Sequence, residues 1–383
     1  MSASRQSFVI MVGLLSGVLF VYIIGLILIS IEINKYRNTK MSVSNSISND
    51  NECVCTNAGI CKLTFEINIS LPPFQADLTI VDFKMAKFCA NLIACIEAPW
   101  AYGTEDKNNF KIPNVLTKIK DIYYEGSIIG YIVTGDTSVF VIFKGTTTSS
   151  EWKKNFEWSL TPFAGISGSS KSSGLGLGGS ACSSCANINN SYSANIQDGL
   201  EQDSTAVNRA HQTKFAKTRI SEEQKNSKFT VTGQVHSGWL DIYNSIEQVI
   251  IRALNDVPDK IDTLVISGHS LGAALSTLLL ADNDVPDKFH SRTTCYVFGS
   301  PRVGDEDFAN SLQSAKRNLF RIQNENDIVT QIPLSVMVNF KDPKTPYLYS
   351  SAGKAILFKI QRGSFLNNHS ISCYLYFLNS KLN

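Results

Sequence analysis

Histidine is scarce in this chain: five residues in 383. Chemistry that needs an imidazole must therefore be assigned among very few positions. The sequence contains no H-E-x-x-H, and Cys182-Ser183-Ser184-Cys185 has no second C-x-x-C pair near it, so neither a zinc-protease helix nor a zinc ribbon is encoded. Charge is sparse too. The formal net charge is +2, which excludes the global basic footprint of a nucleic-acid-binding protein. Apolar material is what the chain has in quantity. Hydrophobic residues make up 43% of it, enough for one large α/β domain with a substantial core and further segments besides.

From Phe8 to Ile31 no residue is charged. A helix of that length, at about 1.5 Å per residue, spans the roughly 30 Å hydrocarbon core of a bilayer. A cleaved signal peptide would have a shorter apolar region, about 7–15 residues, ending in small residues. Here the run ends Ile29-Ser30-Ile31-Glu32-Ile33, a poor cleavage site. The reading is an uncleaved single-pass anchor over 8–31, with a short tail (1–7) before it. A flexible stalk (32–75) follows, whose Ser- and Asn-rich part covers 34–60. Lys35, Arg37 and Lys40 outnumber Arg5 across the span, which favours a cytoplasmic domain. Nine cysteines and the sequons at Asn68 and Asn189 favour the opposite side. The odd count leaves at least one thiol free or paired between chains. These signals oppose each other and leave the side open.

Residues 76–383 form the expected folded domain. Ala76–Ala98 reads as a helix stopped by Pro99, with Cys89 and Cys95 on different faces and so not paired to each other. Residues 128–133 and 138–143 read as strands around a turn at Thr134-Gly135-Asp136-Thr137. The second is nearly all apolar, as suits a strand buried on both faces. Residues 164–228 are Gly-, Ser- and Asn-rich and then polar, and read as a disordered insertion. Order resumes with an amphipathic helix over Leu240–Leu254, carrying Ile242, Ile246, Val249, Ile250 and Leu254 at helical spacing. Strands at 262–266, 294–298 and 319–322 then alternate with helices at 273–280 and about 305–315. The expectation is an α/β fold: a mainly parallel sheet with helices on both faces and function gathered at the carboxyl ends of its strands.

At the first of these junctions stands Gly268-His269-Ser270-Leu271-Gly272, a G-x-S-x-G at the end of an apolar strand with a small-residue helix behind it. A serine on such a strand-to-helix turn is presented on a strained backbone, and the glycines permit close approach of the flanking segments. Its hydroxyl needs a base, and the base needs an orienting carboxylate, in the chain order Ser, Asp or Glu, His. His211 lies in the insertion, His236 and His269 precede Ser270, and His290 falls in a surface loop. Order selects His369. Asp327 follows the 319–322 strand and is placed to orient it. Asp305 and Asp307 begin a helix and read as caps, and the other intervening aspartates fall in polar loops. Oxyanion donors are expected from the backbone N–H of Leu271 and, in the loop Phe143-Lys144-Gly145-Thr146, from Thr146.

Together these segments resemble the class 3, fungal-type triacylglycerol lipases of the α/β-hydrolase fold. Phe143–Thr146 is similar to the family's F-R-G-[ST] loop, with Lys144 in place of Arg. Glu151-Trp152 falls at its lid helix, Val235–Trp239 is similar to V-H-x-G-[FY], and Gly268–Gly272 to G-H-S-L-G. Gly299–Asp305 resembles G-x-P-R-V-G-[DN], Asn324–Val329 resembles N-x-x-D-x-V, and His369 with Tyr374 resembles the terminal histidine segment. The resemblance implies hydrolysis of lipid carboxylic esters, acylglycerols first, at a membrane or lipid-droplet surface, without metal or cofactor and beneath a movable lid. A phospholipase A1 or diacylglycerol lipase would use the same residues, and an inactive interaction module would lack one of them. The insertion, the anchor and the stalk depart from the secreted members. The sequon at Asn368 is expected to be unused because a glycan there would crowd His369.

Overall fold

The computed structural model describes residues 69–75, 77, 79–101, 106–163 and 231–382. The anchor at 8–31, nearly all of the stalk, and the insertion at 164–228 lie outside them, as do His211, the Cys182–Cys185 pair and the sequons at Asn68 and Asn189. No helix among the described residues is long and apolar enough to cross a membrane.

The first helix, α1 (Phe83–Ala101), starts later and ends later than its sequence suggests. Asp82 sets the start: its side-chain Oδ1 accepts the N–H groups of Lys84 and Met85 at 2.9 and 3.0 Å, satisfying first-turn donors. Pro99 does not stop the helix. It sits in the last turn, where a missing N–H costs only one terminal hydrogen bond. Cys89 and Cys95 are both buried free thiols, as are Cys295 and Cys373.

Three strands follow: β1 (Thr117–Tyr124), β2 (Ser127–Thr134) and β3 (Ser138–Phe143), joined as antiparallel neighbours. A short helix, α2 (Ser149–Asn155), leads to β4 (Leu160–Pro162), which pairs with β5 (Gln234–His236). Beyond it come α3 (Ser237–Asn255), β6 (Thr263–His269), α4 (Leu271–Ala281), β7 (Thr293–Phe298), α5 (Glu306–Ser314) and β8 (Asn318–Asn324). The small hairpin β9 (Val336–Met337) and β10 (Tyr347–Leu348) precedes β11 (Lys354–Phe358), α6 (Phe365–His369) and α7 (Ile371–Leu382).

The main sheet runs β1-β2-β3-β6-β7-β8-β11, parallel from β3 onward. Its central strands are buried on both faces, and their residues alternate between two cores. Val139, Val141 and Phe143 of β3 face the core shared with α3 and α4, while Phe140 and Ile142 face the one shared with α1 and α7. This is the expected mainly parallel sheet with helices on both sides. Helix α3 buries Ile242, Ile246, Ile250 and Leu254 as their spacing requires, but Val249 is exposed on the edge of that stripe. Asp305 caps α5 through a hydrogen bond from Phe308 N–H, 2.8 Å. The carboxyl ends of β3, β6, β7 and β8 lie side by side, so the loops that leave them meet at one edge.

Candidate active site

Strand β6 delivers the chain to His269, and α4 begins at Leu271. The residue between, Ser270, has φ 57° and ψ −121°, a region a non-glycine residue occupies at a cost of about 1–3 kcal/mol. Its N–H donates to Phe298 O on β7 at 3.0 Å, which holds the turn in place. Both neighbouring glycines are sterically required. A Cβ on Gly268 would lie 2.1 Å from Gly272 O, where α4 passes over the strand. A Cβ on Gly272 would meet Lys144 O at 2.5 Å and Phe143 O at 2.6 Å, so this second glycine admits the end of β3 rather than the elbow's own strand. Leu271 contributes the first N–H of α4, which has no partner within the helix and carries the positive end of its dipole.

Asp327 and His369, 42 positions apart, meet in a hydrogen bond: His369 Nδ1–H donates to Asp327 Oδ2 at 2.7 Å. Asp327 is fully buried. Its Oδ1 accepts Val329 N–H at 2.9 Å, capping the 3₁₀ turn Ile328–Gln331, and its Oδ2 also accepts the Tyr374 hydroxyl at 2.5 Å. Burial and the adjacent Asp327 carboxylate push the Tyr374 phenol well above its ordinary pKa, so it remains a donor. With Nδ1 committed to the carboxylate, Nε2 is the nitrogen left for proton exchange. Gly299 has φ 56°, and a Cβ on it would lie 2.9 Å from both Asp327 Oδ2 and His369 Cε1. Two asparagines brace this corner. Asn324 Nδ2 donates to Ile360 O (2.8 Å) and Asn368 O (3.2 Å), while its Oδ1 accepts Ile360 N–H (3.0 Å). Asn368 Nδ2 donates to Gln361 Oε1 (2.6 Å) and Asn326 O (3.0 Å), and its Oδ1 accepts Arg362 N–H (2.7 Å). A buried amide engaged in this way cannot carry a glycan.

The loop after β3 lies against the elbow: a Cβ on Gly145 would be 3.3 Å from Ser270 Cβ. Charge holds it. Lys144 is buried, and its ammonium donates to Glu151 Oε1 (2.9 Å) and Oε2 (3.1 Å), Thr147 Oγ1 (2.6 Å) and Gly145 O (3.2 Å). Burial lowers the Lys144 pKa, opposed by the Glu151 carboxylate. Glu151 Oε2 in turn accepts Thr147 N–H at 2.6 Å, and Glu151 closes a capping box with Thr148 at the start of α2. Asn155, at the end of α2, donates to Thr146 Oγ1 (3.1 Å) and accepts Trp239 Nε1–H (2.8 Å). The helix at Glu151-Trp152, which the resemblance marks as a lid, is thus tied to the loop after β3 by a fully buried ion pair.

These parts open on one cavity of about 290 Å³. Ser270, Leu271, Thr146 and His369 line it together with Trp100, Trp152, Trp239, Ile328, Val329 and Phe365, so the polar groups converge within an apolar wall. The other described histidines lie elsewhere or serve other ends. His236 is buried and stacked on Trp239 at 3.8 Å, and burial pushes its pKa down to about 3, so it is neutral. His290 Nε2–H donates to Val285 O at 2.8 Å. Glu247, Asp282 and Asp284 are the one group of carboxylates among the described residues close enough to share a cation, and they do not line the cavity. The sequence reading missed Glu97, which does line it. The signal was present: Glu97 is the only charged residue between Lys87 and Ala101 in an otherwise uncharged helical run.

The chain is similar to several known proteins. A phospholipase A1-II 1 of Oryza sativa subsp. indica is 33% identical over 161 residues, covering 37% of this chain and 39% of its own. Phospholipase A(1) DAD1, chloroplastic, of Arabidopsis thaliana is 28% identical over 174 residues, again 37% of this chain and 39% of its own. The chain thus spans about two fifths of the length of these curated relatives. Among solved structures, the Rhizomucor miehei triacylglyceride lipase aligns over 72% of this chain and 80% of its own at 17% identity, with a TM-score of 0.42. Residues 199–337, which carry the elbow and Asp327, match the model of the lipase (class 3) family.

Proposed function

We propose that the protein is a membrane-anchored serine hydrolase of lipid carboxylic esters, acylglycerols foremost, working through an acyl-enzyme on Ser270. One observation carries the reading: the Asp327–His369 pair, Ser270 and the backbone around Thr146 and Leu271 converge on a single apolar cavity. In the first step His369 Nε2 takes the Ser270 hydroxyl proton as Oγ bonds to the ester carbonyl carbon. The oxygen, now negative, is held by the N–H groups of Thr146 and Leu271. The carbon–oxygen bond to the alcohol then breaks, with His369 returning its proton to the leaving alcohol. Water repeats the sequence on the acyl-enzyme and releases the acid. Tyr374 and Asp327 keep the imidazole in the tautomer this requires.

The apolar run at 8–31 supports placing the site at a membrane or lipid-droplet surface, where long-chain esters are concentrated. The phospholipase A1 reading uses the same residues and draws support from the names of the plant relatives. A panel of triacylglycerol emulsion, diacylglycerol and phospholipid vesicles, all free of detergent, separates the two.

The deciding experiment is Ser270→Ala. It should lower kcat by about 10⁴-fold or more while leaving the thermal midpoint near wild type, and a fluorophosphonate should label the wild type at Ser270 alone. An unlabelled wild type, or a Ser270→Ala protein retaining a tenth of the activity, sinks the assignment.

A further inference from the structure

His269, the residue before the nucleophile, lines the cavity and meets a second carboxylate. Glu97 Oε1 lies 2.8 Å from His269 Nδ1, and the same oxygen accepts the Gly145 N–H at 2.9 Å. On its other side His269 Nε2 lies 2.6 Å from the backbone carbonyl oxygen of His369. Three hydrogen bonds therefore run in series from the oxyanion loop, through Glu97 and His269, to the backbone of the residue that carries the base. The two side chains are 15% and 7% exposed.

Both partners of the His269 ring are oxygens, an arrangement that an imidazolium beside the Glu97 carboxylate satisfies from both nitrogens at once. Burial by itself lowers the His269 pKa, but the Glu97 carboxylate outweighs it and the net shift is upward. For Glu97, burial raises the pKa, and His269, the Gly145 N–H and Lys144 together bring it below the ordinary value. The fit leaves no slack: a Cβ on Gly145 would lie 3.0 Å from His269 Nδ1 and 3.2 Å from Glu97 Oε1. The rings of His269 and His369 sit 4.6 Å apart, tilted 33°.

We propose that Glu97 and His269 are positioning residues for the hydrolase: a charged relay that sets the separation between the oxyanion loop and the backbone carrying His369. The inference rests on the serine-hydrolase reading above, since it concerns the same site. Both line the cavity, and their hydrogen bonds go to Gly145, to each other and to the His369 carbonyl. Each holds a backbone group one step from an acting atom. Gly145 N–H precedes the Thr146 donor, and the His369 carbonyl belongs to the base itself. An error of about 1 Å in such placements costs on the order of 100-fold in rate.

The test uses the full-length protein in detergent micelles, with p-nitrophenyl butyrate as substrate and activity normalised to fluorophosphonate-titrated sites. Glu97→Ala and His269→Ala should each lower kcat roughly 10- to 100-fold with KM nearly unchanged. The double variant should be no slower than the slower single, because the two act in one chain. Glu97→Gln retains an acceptor for Gly145 and should recover part of the rate. If Glu97→Ala does not fold, Glu97→Gln still has to lower kcat several-fold. Singles within twofold of wild type, a double variant whose loss equals the product of the singles, or a loss confined to KM would each overturn the relay. A second readout needs no turnover. In Ser270→Ala protein, the ring nitrogens of His269 should give an imidazolium NMR signature that disappears in Glu97→Gln. A neutral His269 overturns the relay even if esters are hydrolysed; an intact imidazolium in a wild type that hydrolyses nothing faults the hydrolase reading alone.

Discussion

The elbow and the loop after β3 lie against each other beside the cavity and are held by different physics. At the elbow the geometry is a matter of backbone clearance. Gly268 and Gly272 lie so close to other main-chain atoms that no side chain fits, and Ser270 is forced into a left-handed conformation as a result. The oxyanion loop has clearance to spare only in principle, and side-chain charges fix it: Lys144 and Glu151 from within the segment, and Glu97 from 48 residues upstream. Steric demands write themselves into adjacent residues. Electrostatic ones can be met from anywhere the fold brings near.

Breaking the elbow should do the most damage. Gly268→Ala puts a Cβ at 2.1 Å from a backbone oxygen that cannot move without shifting α4. A loss of more than about 4 kcal/mol in stability, together with loss of fluorophosphonate labelling, is expected from combined thermal unfolding and probe assays. Normal labelling of this variant would mean that the elbow is not built by clearance. Next comes Lys144→Met, which leaves the Glu151 carboxylate buried without its cation. Chemical denaturation should show a loss of about 3–5 kcal/mol, partly restored by adding Glu151→Gln. The smallest effect is a dependence on pH. Glu97 has a lowered folded pKa, so its contribution exists above the ordinary carboxylate range and fades as pH falls through the folded value. His269 has a raised one, so its contribution is complete below about pH 6.5 and fades as pH rises through the folded value. The gap in thermal midpoint between wild type and Glu97→Gln should therefore be widest between about pH 5 and 6.5 and narrow on both sides. A gap that is flat from pH 5 to 9 would show that the pair is not charged.

The same division explains what could be read from the sequence. The elbow, β3, the buried strands around it and the capped α5 are specified by neighbours: an apolar run, a glycine at each end, an aspartate before a helix. Ser270, Leu271, Thr146 and His369, picked out by local pattern and chain order, line one cavity, and Asp327 lies behind His369 in a hydrogen bond to it. Strands β1 and β11 were not, because they are edge strands. Four of the first residues of β1 are exposed and include Lys118 and Lys120, so no apolar alternation marks them. The start of α1 falls after the expected Ala76 because Asp82 supplies the cap. Glu97 carried a local anomaly, a lone charge in an apolar helix, but its partners on β6 and after β3 are a property of the fold alone.

Strands β4 and β5 carry a consequence for the chain's topology. They pair antiparallel, Pro162 opposite Gln234, and Phe163 N–H donates to Gly233 O at 2.8 Å, closing the ladder beyond its last pair. Phe163 packs edge-on against Phe308 at 5.5 Å, and Val231 is fully buried. Both legs of this ladder, one ending at Phe163 and the other beginning at Val231, are thus anchored in the core. Phe163 and Val231 are therefore brought together by contacts made within the described residues themselves.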